Sequence, residues 1–353
     1  NAGTKILTKP VSNTFEKTQV AGYESLNWKD CYEKAAYYAG IIMGRNPDVS
    51  YGTYRLLSFD ELWKKSGFDE SEHMFSVRTR SADEEYGNGV HQWYCGMQDA
   101  GGVLQKGPWV GNRFHWYCLF DNEDYRITKG VKHRFQYDSQ VKNGRGYYYP
   151  GTPEYKLMAT GKNMDDVKVQ EPVAPFNDGL TYTNSISSNC LAFTTKYADV
   201  TDPTIGRTDA YWPFLRYADI VLIYAEAQCE LNDGISQDAI DALNDIRIRS
   251  NAKEASVTGD GAIETKVELR SVIFEERAKE LAYEGDRRWD LLRWGIYLDV
   301  MNSLGGINED GTRTPYDEGS INKRREFRHL LYPLPSLEVS TNMAIDKNNP
   351  GWN

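Results

Sequence analysis

Three glutamates, Glu276, Glu280 and Glu284, recur at four-residue intervals within VIFEERAKELAYEGDRRWDLLRWG. In a helix that interval stacks side chains on one face. Arg277 lies beside the first, and Arg287, Arg288, Asp290 and Arg293 follow Gly285. Two chemistries suit such a set. Paired carboxylates can hydrolyse a glycosidic bond, one protonated as acid and one ionised as nucleophile or base. Carboxylates and guanidinium groups can instead neutralise each other and fix one helix against the next. The second is preferred, because arginine beside a carboxylate lowers its pKa, the wrong direction for a general acid. The expected structural network is Glu276, Glu280, Glu284, Arg288, Asp290 and Arg293, reaching back to Arg216 and Glu226. No catalytic residue is assigned.

A second set could bind rather than react. Residues 91–118, HQWYCGMQDAGGVLQKGPWVGNRFHWYC, interleave rings with Gln, Asn, Asp and Arg. A ring can cover the apolar C–H face of a sugar while amides, carboxylates and guanidinium groups pair with its hydroxyls. The glycines let backbone come near a ligand. The candidates are Trp93, Tyr94, Trp109, Asn112, Arg113 and Trp116, joined by Tyr147 and Tyr148 of GYYYP at 146–150. Trp109, set between Gly107-Pro108 and Gly111, is the best placed. With 24 Tyr, 12 Phe and 9 Trp in 353 residues, there are rings for a core as well.

Other chemistries lack their motifs. The five cysteines (31, 95, 118, 190 and 229) form no CxxC pair, and the five histidines (73, 91, 115, 133 and 329) form no HExxH. No metal site and no cofactor are therefore expected. There is no GxSxG, phosphate loop or dinucleotide fingerprint. NEDGTRTPYDEG at 308–319 lacks EF-hand spacing and is expected to be a surface loop. A net charge of −10 opposes phosphate backbones, which excludes nucleic acid as a partner, and Lys323-Arg324-Arg325 with Arg328 is too small a cluster to change that. No apolar run approaches the roughly 18 residues of a membrane-spanning helix.

The elements that position these residues are expected to be helical at both ends of the chain. Asn27 can cap a helix over 27–43, with Cys31, Ala35, Tyr38 and Ile42 on one face. Ser58 and Gly67 bracket a short helix at 59–66, and the two read as a helical hairpin within 27–80. Residues 81–210 are loop-rich, with strand candidates at Arg113–Phe120 and Val131–Tyr137, and form the ligand-binding region. A helical scaffold follows over 211–302. It opens at 214–231 with a stripe of Ala218, Leu222, Ala225 and Cys229, and continues at 237–250 after Ser236, a second hairpin of tetratricopeptide-repeat size. A third helix at 264–284 is stopped by Gly285, and Asp286 can cap the next, 287–302. Residues 303–353 supply a C-terminal loop and a short last helix. The whole, 1–353, is expected to be one mainly α domain with short strands.

RYADIVLIYAEAQCELNDG, AIDALNDIRIRSNA, VIFEERAKELAYEGDRRWDLLRWG, LYPLPSLEV and NNPGW occur in this order. Together they closely resemble the C-terminal half of the SusD/RagB family. The helix at 27–43 with SEHMFSV, and NEDYRITKGVKHRF at 122–135, resemble the family's middle section. The resemblance implies a SusD-like fold on tetratricopeptide-like hairpins. It implies a non-enzymatic surface lipoprotein of the outer membrane that binds oligosaccharide or polysaccharide for nutrient uptake. Its partner would be a SusC-like TonB-dependent transporter. The RagB branch implies a peptide cargo as the alternative. Family members usually carry a further N-terminal helical region and a lipidated Cys behind a signal peptide. A tie to the membrane would run only through that lipid anchor, absent from this sequence.

Overall fold

The long helices begin where the sequence supplies a cap. The computed structural model describes residues 25–352 apart from 48, 50, 52, 69–70, 100–102, 113, 118, 136–144, 150–180, 185–190 and 304–324. Helix α1 spans Trp28–Ile42, and the Asn27 side chain accepts from the Lys29 amide at 2.8 Å. The short α2 (Phe59–Leu62) and a 3-10 turn, Lys65–Gly67, lead to strand β1, His73–Val77. Short pieces follow: α3 (Val90–Cys95), β2 (Met97–Gln98), β3 (Leu104–Lys106), α4 (Phe114–Tyr117) and α5 (Tyr125–Thr128). Strands β4 (Arg134–Phe135), β5 (Arg145–Tyr148), β6 (Thr181–Asn184) and β7 (Trp212–Arg216) come next. The scaffold is α6 (Tyr217–Leu231), α7 (Gln237–Arg249), α8 (Lys266–Glu280), α9 (Arg287–Arg293) and α10 (Tyr297–Ser303); α11 (Ser336–Thr341) is last. Ser236 caps α7, and Thr265 with Glu268 forms a capping box on α8.

Helix α6 is the centre of the molecule. Ala218, Leu222, Ala225 and Cys229 are completely buried, and α1, α7 and α8 all pack against this helix. A Cβ on Gly40 would stand 3.4 Å from the Tyr224 ring, so α1 and α6 approach closely at that point. The main partner of α1 is thus α6 rather than α2, and the expected hairpin over 27–80 is not the pairing formed. The expected core stripe of α1 is corrected as well. Its buried residues are Ala39, Gly40 and Ile41, whereas Cys31 and Tyr38 are exposed.

Three small sheets occur among the described residues. β1 and β7 are antiparallel with His73 opposite Arg216, which carries Glu72 into the scaffold. β2 pairs with β3, and β5 lies between antiparallel β4 and parallel β6. Two expected boundaries shift. Residues 214–216, expected to open a helix, belong to β7 instead, where they pair with β1, and Arg216 is extended at φ −121°. Helix α8 ends at Glu280, four residues early, because Tyr283 and Gly285 both take positive φ (70° and 102°). The strand expected at Arg113–Phe120 contains the helical turn α4 instead. Residues 81–210 are not separate from the core: Trp116, Tyr117, Phe120, Ile127 and Phe193 bury against the same helices.

Candidate functional site

The charged helix face lies inside the molecule. Arg216, at the end of β7, reaches Glu72 (2.7 Å), Glu284 (2.7 Å) and Glu280 (3.1 Å). Arg126 holds Asp124 (2.7 Å) and Glu276 (2.5 Å), and Arg247 takes the other oxygen of Glu276 at 2.8 Å. Arg249 bridges Glu72 and Glu280, and Lys196 closes the set on Glu284 at 2.5 Å. Five cations thus face five carboxylates, Glu72, Asp124, Glu276, Glu280 and Glu284, and the cluster is neutral. A second group surrounds the break between α8 and α9. Arg277 bridges Asp219 and Asp290 at 2.8 Å each, and Arg293 joins Asp290 (2.8 Å) to Glu226 (2.5 Å). The Trp294 indole donates to Glu226 at 3.2 Å.

Electrostatics here oppose acid catalysis. Burial raises a carboxyl pKa, but at Glu276 the charges of Arg126, Arg247 and Lys279 overcome it and hold the group at about 2. At Glu280, Arg249, Arg216 and Arg126 outweigh burial in the same direction, and at Glu284 Arg216 and Lys196 do so. Arg288 is a correction to the expected network. It donates to the Tyr297 hydroxyl (2.7 Å) and the His329 carbonyl (3.0 Å), and among the described residues it pairs with no carboxylate. Its fork meets a phenol and a backbone oxygen because it points toward the C-terminal segment, away from α8.

The ring-rich region divides sharply. α3 buries Val90, His91 and Cys95 and turns Trp93 outward, 47% exposed. The Trp93 carbonyl accepts from the amides of Trp109 (2.8 Å) and Val110 (3.0 Å), so the segment carrying Trp109 is bonded to α3. Trp109 is 69% exposed. Two accessible indoles therefore share one backbone frame. Glycines make that frame compact: Gly96 has φ 80°, and a Cβ on Gly111 would come within 2.8 Å of Leu191 and Phe193. They admit neighbouring protein, not a ligand as expected.

The other candidates lie elsewhere. Trp116 is corrected: it is buried, its indole donates to the Ala278 carbonyl at 2.8 Å, and it packs edge-on against Phe120 and Tyr283. Tyr94 is half-buried among Tyr197, Trp212 and Tyr283, and burial raises its pKa. Asn112 exchanges backbone hydrogen bonds with Ala192 (2.9 and 2.7 Å) and bonds Tyr283 through its side chain. Tyr147 and Tyr148 lie on β5, opposite Phe135 and Arg134. Arg113 and the acidic loop at 308–319 are outside the described residues. No group of three or more metal-ligating side chains occurs among the described residues. A cleft of about 550 Å³ between residues 55–58 and α7 touches neither indole.

Sequence reasoning missed Glu72, Asp124, Arg126, Lys196, Arg247 and Arg249. Glu72, Asp124, Arg126 and Lys196 have no periodic pattern around them and are brought to α8 only by tertiary packing. Arg247 and Arg249 did carry a signal, as two arginines in the last turn of a helix neighbouring the glutamate face.

The model of the SusD family matches residues 98–352. SusD-like protein P2 of Formosa agariphila is 33% identical over 142 residues, 39% of this chain and 25% of that protein. SusD-like protein P38 of the same organism is 36% identical over 142 residues, 38% and 25% respectively. In fold, the chain is similar to a SusD homolog from Bacteroides thetaiotaomicron, with a TM-score of 0.62 at 20% identity over 99% of this chain and 64% of that one. It is also similar to surface glycan-binding protein A from Bacteroides thetaiotaomicron in complex with laminarihexaose, with a TM-score of 0.56 at 18% identity over 91% and 60%. The chain thus spans about a quarter of the length of the curated relatives it matches and less than two thirds of these structures.

Proposed function

The chain belongs to the SusD family, and on that premise we propose that it binds oligosaccharide at the bacterial surface through the Trp93–Trp109 face and passes it, chemically unchanged, to a SusC-like TonB-dependent transporter. The observation that carries this reading is the pair of exposed indoles on one hydrogen-bonded frame. Two flat apolar faces held by backbone, not by flexible side-chain contacts, suit stacking on sugar rings. The complex of surface glycan-binding protein A with laminarihexaose supplies a relative of the same fold with a glycan bound. The state of the buried carboxylates supports release of the cargo unchanged. Glu276, Glu280 and Glu284 are buried and held ionised by arginine, so none serves as a proton donor near neutral pH. No helix among the described residues is long and apolar enough to cross a membrane; attachment is proposed through a lipid anchor.

Calorimetry against a panel of polysaccharides and oligosaccharides tests the reading. Trp93→Ala and Trp109→Ala should each weaken binding by about tenfold, some 1.4 kcal/mol, with the melting temperature unchanged. Hydrolysis of a bound glycan, or binding untouched by both substitutions, would overturn it.

A further inference from the structure

A guanidinium stands beside the Trp93 frame with no carboxylate among the described residues to neutralise it. Arg207 is exposed, and among the described residues it forms no ion pair; its one hydrogen bond is a 3.5 Å contact to the Gly87 carbonyl. Its position is fixed by the backbone. The Arg207 carbonyl accepts from the Ala82 amide at 2.9 Å, and the next residue, Thr208, exchanges two backbone bonds with Asn88. The turn at 86–89 is what links it to the indole. A Cβ on Gly87 would fall 2.9 Å from the Arg207 Cβ, and one on Gly89 would fall 3.2 Å from the Trp93 ring. Two residues of chain separate those points by no more than about 7 Å. A second tie runs between the neighbours of both residues: a Cβ on Gly206 would lie 3.1 Å from the Gln92 side-chain oxygen. Arg207 therefore sits within the reach of a saccharide that stacks on Trp93.

The two nearest aspartates are already engaged. Asp83 accepts from the amides of Glu85 (3.0 Å) and Tyr86 (2.9 Å) and faces Arg80 at 3.7 Å. Asp209 is held by Lys65 at 2.5 Å and by Thr201. Glu84 and Glu85 are exposed on the same turn, and the chain carries a net charge of −10. Long-range attraction of an anion is thus weak, and selectivity must come from direct contact. A free guanidinium supplies that contact, because its fork matches a carboxylate or a sulfate bidentately.

We infer that the Trp93 face takes anionic saccharides, with Arg207 pairing the uronate carboxylate or sulfate ester of a sugar adjacent to the one stacked on Trp93. This rests on the glycan-binding reading above and narrows its ligand class.

The test uses glucan, galactan and mannan oligosaccharides of equal length, each in neutral, C6-carboxylated and sulfated form, titrated calorimetrically at about 0.15 M salt. On the backbone that binds best, a charged form should bind at least tenfold tighter than the neutral one. Which charged form gains identifies the group as carboxylate or sulfate. Arg207→Gln should equalise charged and neutral forms, Arg207→Lys should keep part of the preference, and Trp93→Ala should weaken all three. Equal or tighter binding of the neutral form, or a preference unchanged in Arg207→Gln, overturns the inference. If Trp93→Ala then still abolishes binding, the glycan reading stands without it. No binding by any form of any backbone overturns both.

Discussion

Asp286 lies at the break between α8 and α9, partly buried, with Asp219 and Glu284 near it. It was expected to cap α9, but it is itself in helical conformation (φ −74°, ψ −28°) and makes no side-chain cap bond. Burial, then the charges of Asp219 and Glu284, push its pKa from 3.8 up to about 6. The sign is opposite to that of the paired glutamates. A carboxyl whose folded pKa is raised favours folding when protonated, and that contribution is lost as pH rises from about 4 through 6. Above pH 6 the ionised group therefore destabilises the fold. Asp286→Asn imitates the protonated form and should raise stability at pH 7.5 by about 1 kcal/mol, a figure reduced for solvent screening at this half-open position. At pH 4 the gain should vanish. Calorimetric melting at the two pH values checks it, and an equal gain at both would show that charge is not the cause.

The element that decides the fate of a tryptophan is α8. Trp109 and Trp116 come from the same glycine- and ring-rich stretch, and no local pattern separates them. Trp116 is buried because the single turn α4 docks on the end of α8, where the Ala278 carbonyl accepts from its indole. Trp116→Phe keeps the ring and removes the donor. It should cost about 1–2 kcal/mol in urea unfolding and leave glycan affinity unchanged. A loss of affinity without a loss of stability would return Trp116 to the binding face. The long helices were legible for the reason that this turn was not. Asn27, Ser236 and the Thr265–Glu268 box act on amides within a turn, and the Ala218–Cys229 stripe repeats along one helix. α4, β1 with β7, and the early end of α8 are set by partners dozens to hundreds of residues away. Of the candidate site, the exposed Trp93 and Trp109 were named from sequence. Arg207 was not, because a lone arginine in a polar loop has no pattern until Gly87 and Gly206 place it.

At the scale of the whole molecule, the neutral cluster ties the ring-rich half to the helical half. Its cations come from residue 196, α5, β7 and α7, and its carboxylates from residues 72 and 124 and from α8 and the turn after it. Removing one member leaves an opposite charge buried without its partner, which costs about 3–5 kcal/mol. Glu276→Gln should therefore destabilise strongly at pH 7. The same cluster sets the response to acid. At Glu276, Glu280 and Glu284, folded pKa values below the ordinary carboxylate value mean that their stabilisation is fully present above about pH 4.5. It is lost as pH falls through the window toward the Glu276 value of about 2. Burial shields these pairs, so 1 M salt should move the acid midpoint little, whereas surface pairs such as Lys129–Asp60 would be screened. Urea unfolding free energies at pH 7, 4.5 and 3 should stay nearly level to pH 4.5 and then drop by several kcal/mol. Glu276→Gln should start lower and fall less steeply, by the one proton that glutamine no longer takes up. Parent-like stability in that variant, or an unchanged slope, would mean that the cluster does not hold the two halves together.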